Sequence, residues 1–99
     1  MAAAALGIQV TPLTPQIAQS VGVNPNTTGV VVVQANPASD AAGKGLQRGD
    51  VITTVNRIAV TSAADVAKQV AAAKAAGKTS VLLWVQRRAL GRFVSVGIN

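Results

Sequence analysis

The chain has 99 residues, room for one domain with one core, of which about 65% of the unfolded surface is expected to be buried. Nine Lys+Arg against three Asp give a net charge of +6, and there is neither Cys nor His. That composition excludes thiol chemistry, Cys or His metal sites and any His-activated nucleophile, and Asp40, Asp50 and Asp65 with no Glu leave no carboxylate pair for acid–base work. Catalysis by this chain alone is therefore not expected, and neither is a cofactor or a metal.

The cations are spread along the chain without a dense run, and Trp84 and Phe93 are the only aromatics, so no footprint for stacked nucleic-acid bases is expected. No apolar run reaches the ~18 residues of a membrane span. Met1 and the four alanines behind it lack the basic start and apolar centre of a signal peptide. Residues 1–5 therefore read as an appended start or linker, and residues 6–99 as the domain.

In chain order, Leu6, Ile8 and Val10 alternate with Gly7 and Gln9, which predicts an extended opening over 6–13. Thr14 as cap, Pro15 at the first helical position and Gly22 as stop predict a short helix. Residues 24–29, NPNTTG, are turn formers, and 30–35, VVVVQA, is a β-branched run of strand length. Residues 36–46 predict one or two helical turns with Ser39 as cap and Gly45 as stop, weakened by Gly43 and Asp40. After the corner at Gly49-Asp50, strands are expected over 51–56 and 57–60.

A long helix follows over 63–76. Ser62 caps it, Asp65 takes the place of Glu in a capping box, and Gly77 ends it. Its apolar face is expected from Ala63, Val66, Ala67, Val70 and Ala71. Strands over 80–87 and 92–98 then join through a tight connection at Leu90-Gly91. Sixteen valines favour a β-rich framework. The expected fold is mostly β with α: a small, partly open barrel or sandwich of five to six strands, capped by one long and one or two short helices.

The segment GVVVVQANPASDAAGKGLQRGDVITTVNRIAVTSAADVAKQV (29–70) resembles a bacterial PDZ domain, most specifically in Gly45-Leu46, Gly49-Asp50-Val51-Ile52 and Val55-Asn56. The opening LGIQVTPLTPQIAQSVGV (6–23) is similar to the start of PDZ domains in the Do-like, high-temperature-requirement (HtrA-type) serine proteases, whose strand order is permuted relative to animal PDZ domains. The resemblance covers about residues 6–98, and the second of the tandem PDZ domains of such a protease fits slightly better than the first.

What the resemblance implies is capture of extended C-terminal or hydrophobic peptide segments by addition of a strand to an open sheet edge, which recognises substrate or regulates the protease. Leu6, Gly7 and Ile8 would be the carboxylate-binding loop. Ile8, Gln9 and Val10 would supply the edge backbone, and Ala63, Ala67, Val70 and Ala71 the opposite wall. Val66 and Val70 are expected to face mainly inward, which makes Ala67, with Ala63 or Ala71, the better candidate for the groove. The implied setting is the periplasm or cell envelope, in a serine endopeptidase concerned with protein quality control. Its protease and other PDZ domain would be partners, and the isolated domain would be a monomer that neither inserts in a membrane nor binds nucleic acid.

Two other readings stay open. One is the PDZ domain of an intramembrane or C-terminal-processing protease. The other is a docking module for oligomer assembly, using the basic hairpin of Arg87, Arg88 and Arg92. Arg48-Gly49-Asp50 matches a cell-adhesion tripeptide, but Gly and Asp are also turn chemistry, and the corner is read as scaffold.

Overall fold

The computed structural model describes residues 2–3, 6–88 and 90–98. Its strands are β1 (Ala2–Ala3), β2 (Ile8–Pro12), β3 (Val30–Ala35), β4 (Val51–Val55), β5 (Ile58–Ala59), β6 (Ser80–Arg87) and β7 (Leu90–Gly97). The helices are α1 (Pro15–Val21), α2 (Asp40–Gly43) and α3 (Ala63–Ala75). The strands form one antiparallel sheet in the order β1-β2-β3-β4-β6-β7, with β5 paired to β4. This is the mostly-β architecture with three helices that the hydrophobic periodicity predicts.

Helix ends follow the capping residues. The Thr14 hydroxyl accepts from Ile17 N at 3.2 Å, and left-handed Gly22 closes α1 while Val23 N reaches back to Ala18 O at 2.9 Å. At α3 the Ser62 hydroxyl accepts from Asp65 N at 3.1 Å, and Gly77, with φ 78°, lets Lys78 N bond Ala73 O at 2.9 Å. The Asp65 carboxylate reaches one residue beyond the cap, accepting from Thr61 N at 2.9 Å and Thr61 Oγ1 at 3.0 Å.

The two faces of the sheet bury different clusters. On the inner face, Val66 and Val70 of α3 pack with Leu6, Ile8, Val10, Val30, Val32, Ile52, Leu83 and Val96. Full burial of each such side chain stabilises by about 1.5–3 kcal/mol. On the outer face, α1 covers only one end, where Ala18, Val23, Val31 and Val51 meet. Beyond α1, the outer-face side chains of β6 are partly exposed, and Phe93 and Ser95 of β7 are exposed. Trp84 lies there edge-on to Phe93, with ring centroids 4.7 Å apart, and Phe93 is 56% exposed.

Three expectations change. The buried stripe of α3 is Ala63, Val66, Val70 and Ala73, whereas Ala67 and Ala71 are exposed. A helix lying on a single sheet buries a narrower stripe than the five-residue face assumed. The last strand begins at Leu90 and not 92, and Gly91 belongs to the strand, not to the turn. A Cβ on Gly91 would lie 2.4 Å from Trp84 Cζ2, so the missing side chain is the space the indole occupies. The turn itself contains Arg88 at φ 56°, and residue 89 lies outside the described residues. Finally, Asp40 does not merely weaken α2. It sits in the first turn, accepts from Gly97 N at 2.8 Å and from Lys44 Nζ at 3.3 Å, and so ties α2 to the end of β7.

Candidate functional site

Two elements set the groove. β2 has β3 on one side, in the register Ile8↔Ala35 and Thr11↔Val31 with a bulge between Gln9 and Val10. Its other side is the sheet edge beside α3. Ala2 and Ala3, read from the sequence as part of a start or linker, pair antiparallel on that edge with Gln9 and Ile8. β1 thus lies between β2 and α3, and β2 continues past it from Val10 to Pro12. Nothing in a run of alanines signals this, because alanine carries no period-2 pattern.

The expected site residues divide by exposure. Leu6, Ile8 and Val10 are at most 2% exposed and point into the core, so at these positions only main chain remains for a ligand. Gln9 is exposed. Val70 and Ala63 are buried in the same cluster as Leu6 and Ile8, while Ala67 and Ala71 stand in solvent one turn apart on α3. The fold therefore brings Leu6, Ile8, Val10, Ala63 and Val70 together and leaves Ala67 and Ala71 outside that cluster.

Gly7 is the conformational pivot. Its φ of +71° is left-handed, its carbonyl accepts from Asn36 N at 2.8 Å, and a Cβ there would sit 2.5 Å from Ser39 Cβ. The loop is thus braced from behind by the segment leading into α2.

The adhesion tripeptide is structural. Asp50 is 1% exposed, and its carboxylate accepts from Arg87 Nε at 2.8 Å, Arg87 Nη2 at 2.9 Å and Gln47 N at 3.1 Å. Arg87 also donates to Gly45 O at 2.8 Å, and its bonds to Asp50 raise its pKa. A carboxylate buried in this way has no face to offer a receptor. Arg87, grouped from the sequence with the basic hairpin, is instead half of an internal ion pair, a contact 37 residues apart that no local pattern announces.

Two surface carboxylates carry a pH signature. Asp40 lies below its ordinary 3.8 because of the Gly97 N–H first and Lys44 second. Asp65 is lowered mainly by the Thr61 N–H and then by the Thr61 hydroxyl. With folded values depressed, the unfolded chain takes up protons first as pH falls. The stability these bonds confer is present above 3.8 and is lost as pH falls through the folded values. The midpoint of urea unfolding, followed by Trp84 fluorescence, should hold steady near neutrality and drop in this acid range, less steeply in Asp40→Asn. A flat profile through the acid range would contradict it.

Among the described residues no group of His, Cys, Asp and Glu could hold a metal, and no helix is long and apolar enough to cross a membrane.

Comparison with known proteins gives a consistent picture. A family profile described as PDZ domain matches residues 4–96. The chain is 45% identical over 71 residues, 72% of its length, to a probable periplasmic serine endoprotease DegP-like of Brucella suis biovar 1, covering 14% of that protein. A protein of the same description from Chlamydia pneumoniae is 33% identical over 91 residues, with 92% of this chain and 18% of the relative covered. Among solved structures, an HtrA-type protease AlgW with a decapeptide aligns with a TM-score of 0.75 at 28% identity, over 95% of this chain and 28% of that one. An HtrA3 PDZ domain bound to a phage-derived ligand, FGRWV, shares the fold with a TM-score of 0.74 at 21% identity, over 95% of this chain and 83% of that one.

Proposed function

The chain belongs to the PDZ domain family, and from that premise we propose that it is the peptide-binding module of a DegP-like periplasmic serine endoprotease. In this reading it captures an extended segment with a free C-terminus on the edge of β2, opposite α3, and has no catalytic part of its own. Main-chain hydrogen bonds from Ile8, Gln9 and Val10 supply affinity, and the loop at Leu6-Gly7-Ile8 receives the carboxylate. Ala67 and Ala71 on α3 present small side chains, leaving room for a bulky apolar ligand residue. Capture delivers substrate to the protease or adjusts its activity.

One observation carries the reading: the edge of β2 accepts an antiparallel strand, because Ala2 and Ala3 pair with Gln9 and Ile8 there, against α3. A ligand strand and β1 need the same hydrogen-bonding groups, so they exclude one another. When a competing state covers the edge, apparent affinity falls in proportion to the open fraction.

The test is a titration of the ¹⁵N-labelled domain with a peptide ending in valine, beside the same peptide amidated. Saturable shifts at 6–10 and along 63–75, lost on amidation, are expected. An Ala2→Pro, Ala3→Pro variant, unable to donate from β1, should bind several-fold more tightly. Absence of shifts with the free-acid peptide at millimolar concentration, in both proteins, would refute the reading.

A further inference from the structure

On the outer face of the sheet, the turn between β4 and β5, the loop after α3 and the start of β6 border an open cleft of about 710 Å³. Arg57, Lys78, Thr79, Ser80, Asn56 and Leu82 line it. The turn is held rigidly. Asn56 and Arg57 both have left-handed φ, 51° and 68°, and Asn56 locks onto β6 by accepting from Leu82 N at 2.8 Å through Oδ1 and donating to Leu82 O at 2.6 Å. Such a two-residue turn favours glycine at its second position. With arginine there, the turn accepts backbone strain and gains a cation at the cleft.

Among the described residues that cation has no counter-charge. Each of the three carboxylates is engaged elsewhere, Asp40 with Gly97 N and Lys44, Asp50 with Arg87, and Asp65 with Thr61. Arg57 and Lys78 therefore face the cleft without a carboxylate among the described residues. Leu82, partly exposed, carries the cleft along β6 to its neighbour on the same face, Trp84, and so to Phe93. Polar cationic surface thus passes directly into apolar surface along β6, and β7 ends the sheet beside it.

We propose that this face is a second docking surface, whose occupant is an acidic extended polypeptide segment carrying a leucine or aromatic side chain. Aspartate or glutamate side chains pair with Arg57 and Lys78, and the apolar side chain covers Leu82 and the Trp84–Phe93 pair. A second copy of this chain does not fit, because it brings +6 and has each of its three carboxylates already bonded. Nucleic acid fits poorly, because the two aromatic rings pack edge to face and leave no run of stacking platforms.

The probe is an acetylated and amidated hexapeptide alternating aspartate with leucine and phenylalanine, which has no terminal carboxylate for the groove of β2. Titrated into the ¹⁵N-labelled chain, it should shift amides at 56–58, 78–82 and 93–95 and the Trp84 indole N–H. The affinity should weaken as salt rises. Arg57→Gln with Lys78→Gln, both at exposed positions, should weaken it about fivefold to tenfold with an unchanged spectrum elsewhere. Shifts confined to 6–10 and α3, no shifts at millimolar peptide, an unaltered affinity in the double variant, or equal shifts with oligothymidylate would each overturn the proposal. The groove reading is tested separately by the free-acid peptide, so either can fail alone.

Discussion

Gly7→Ala should weaken binding of a C-terminal valine peptide at least tenfold and lower stability by about 1–3 kcal/mol. The two effects share a cause. At φ +71° alanine occupies a strained backbone region, and its Cβ would lie 2.5 Å from Ser39 Cβ, closer than carbon atoms approach without displacement. Relief requires the loop to move away from Asn36 and Ser39. This breaks the Gly7 O bond to Asn36 N at 2.8 Å and re-aims the N–H groups that the proposed carboxylate site needs. Calorimetric titration gives the affinity, and urea unfolding gives the stability. To separate a lost site from a lost fold, the spectrum of α3 and β4–β7 must remain that of the parent protein. Undiminished peptide affinity in a folded Gly7→Ala protein would remove the loop from the site.

The largest stability loss is expected from Asp50→Ala, about 3 kcal/mol, measured as a fall in the urea midpoint. The carboxylate is 1% exposed and takes three hydrogen bonds, two of them from the Arg87 guanidinium. Its removal leaves Gln47 N without this acceptor and frees an arginine that clamps β6 to the corner before β4. The Arg87 side chain is 47% exposed and can turn to water, which keeps the loss toward the lower end for a buried pair. Arg48→Ala, at the exposed first position of the same tripeptide, should change stability by less than about 0.5 kcal/mol. If Asp50→Ala were as mild as Arg48→Ala, the ion pair would not be what holds this corner.

Much of the molecule could be read without coordinates. Thr14, Ser39 and Ser62 cap the helices they were expected to cap, and Gly22 and Gly77 follow α1 and α3 in left-handed conformation. The β-branched run at 30–33 and the alternation at 80–86 became strands, and the turn residues between them placed the breaks. These features are local: a cap, a stop or a period is decided by residues within a few positions. The PDZ resemblance was legible for the same reason, since its markers are turns and strand starts with fixed spacing.

What the sequence could not supply lies between distant residues. Arg87 finds Asp50, Asp40 finds the end of β7, Trp84 settles over Gly91, and Ala2–Ala3 lie on β2 beside α3. None of these partners is set by spacing along the chain, because each depends on which strands become neighbours. The sequence by itself determined most of the elements, the helix caps and the family resemblance. Only the tertiary structure decided what lay along β2 and which cations kept a partner. Hydrogen-bonding groups and charges are satisfied by whatever the packed sheet brings within about 3 Å, and that is a property of the assembled fold.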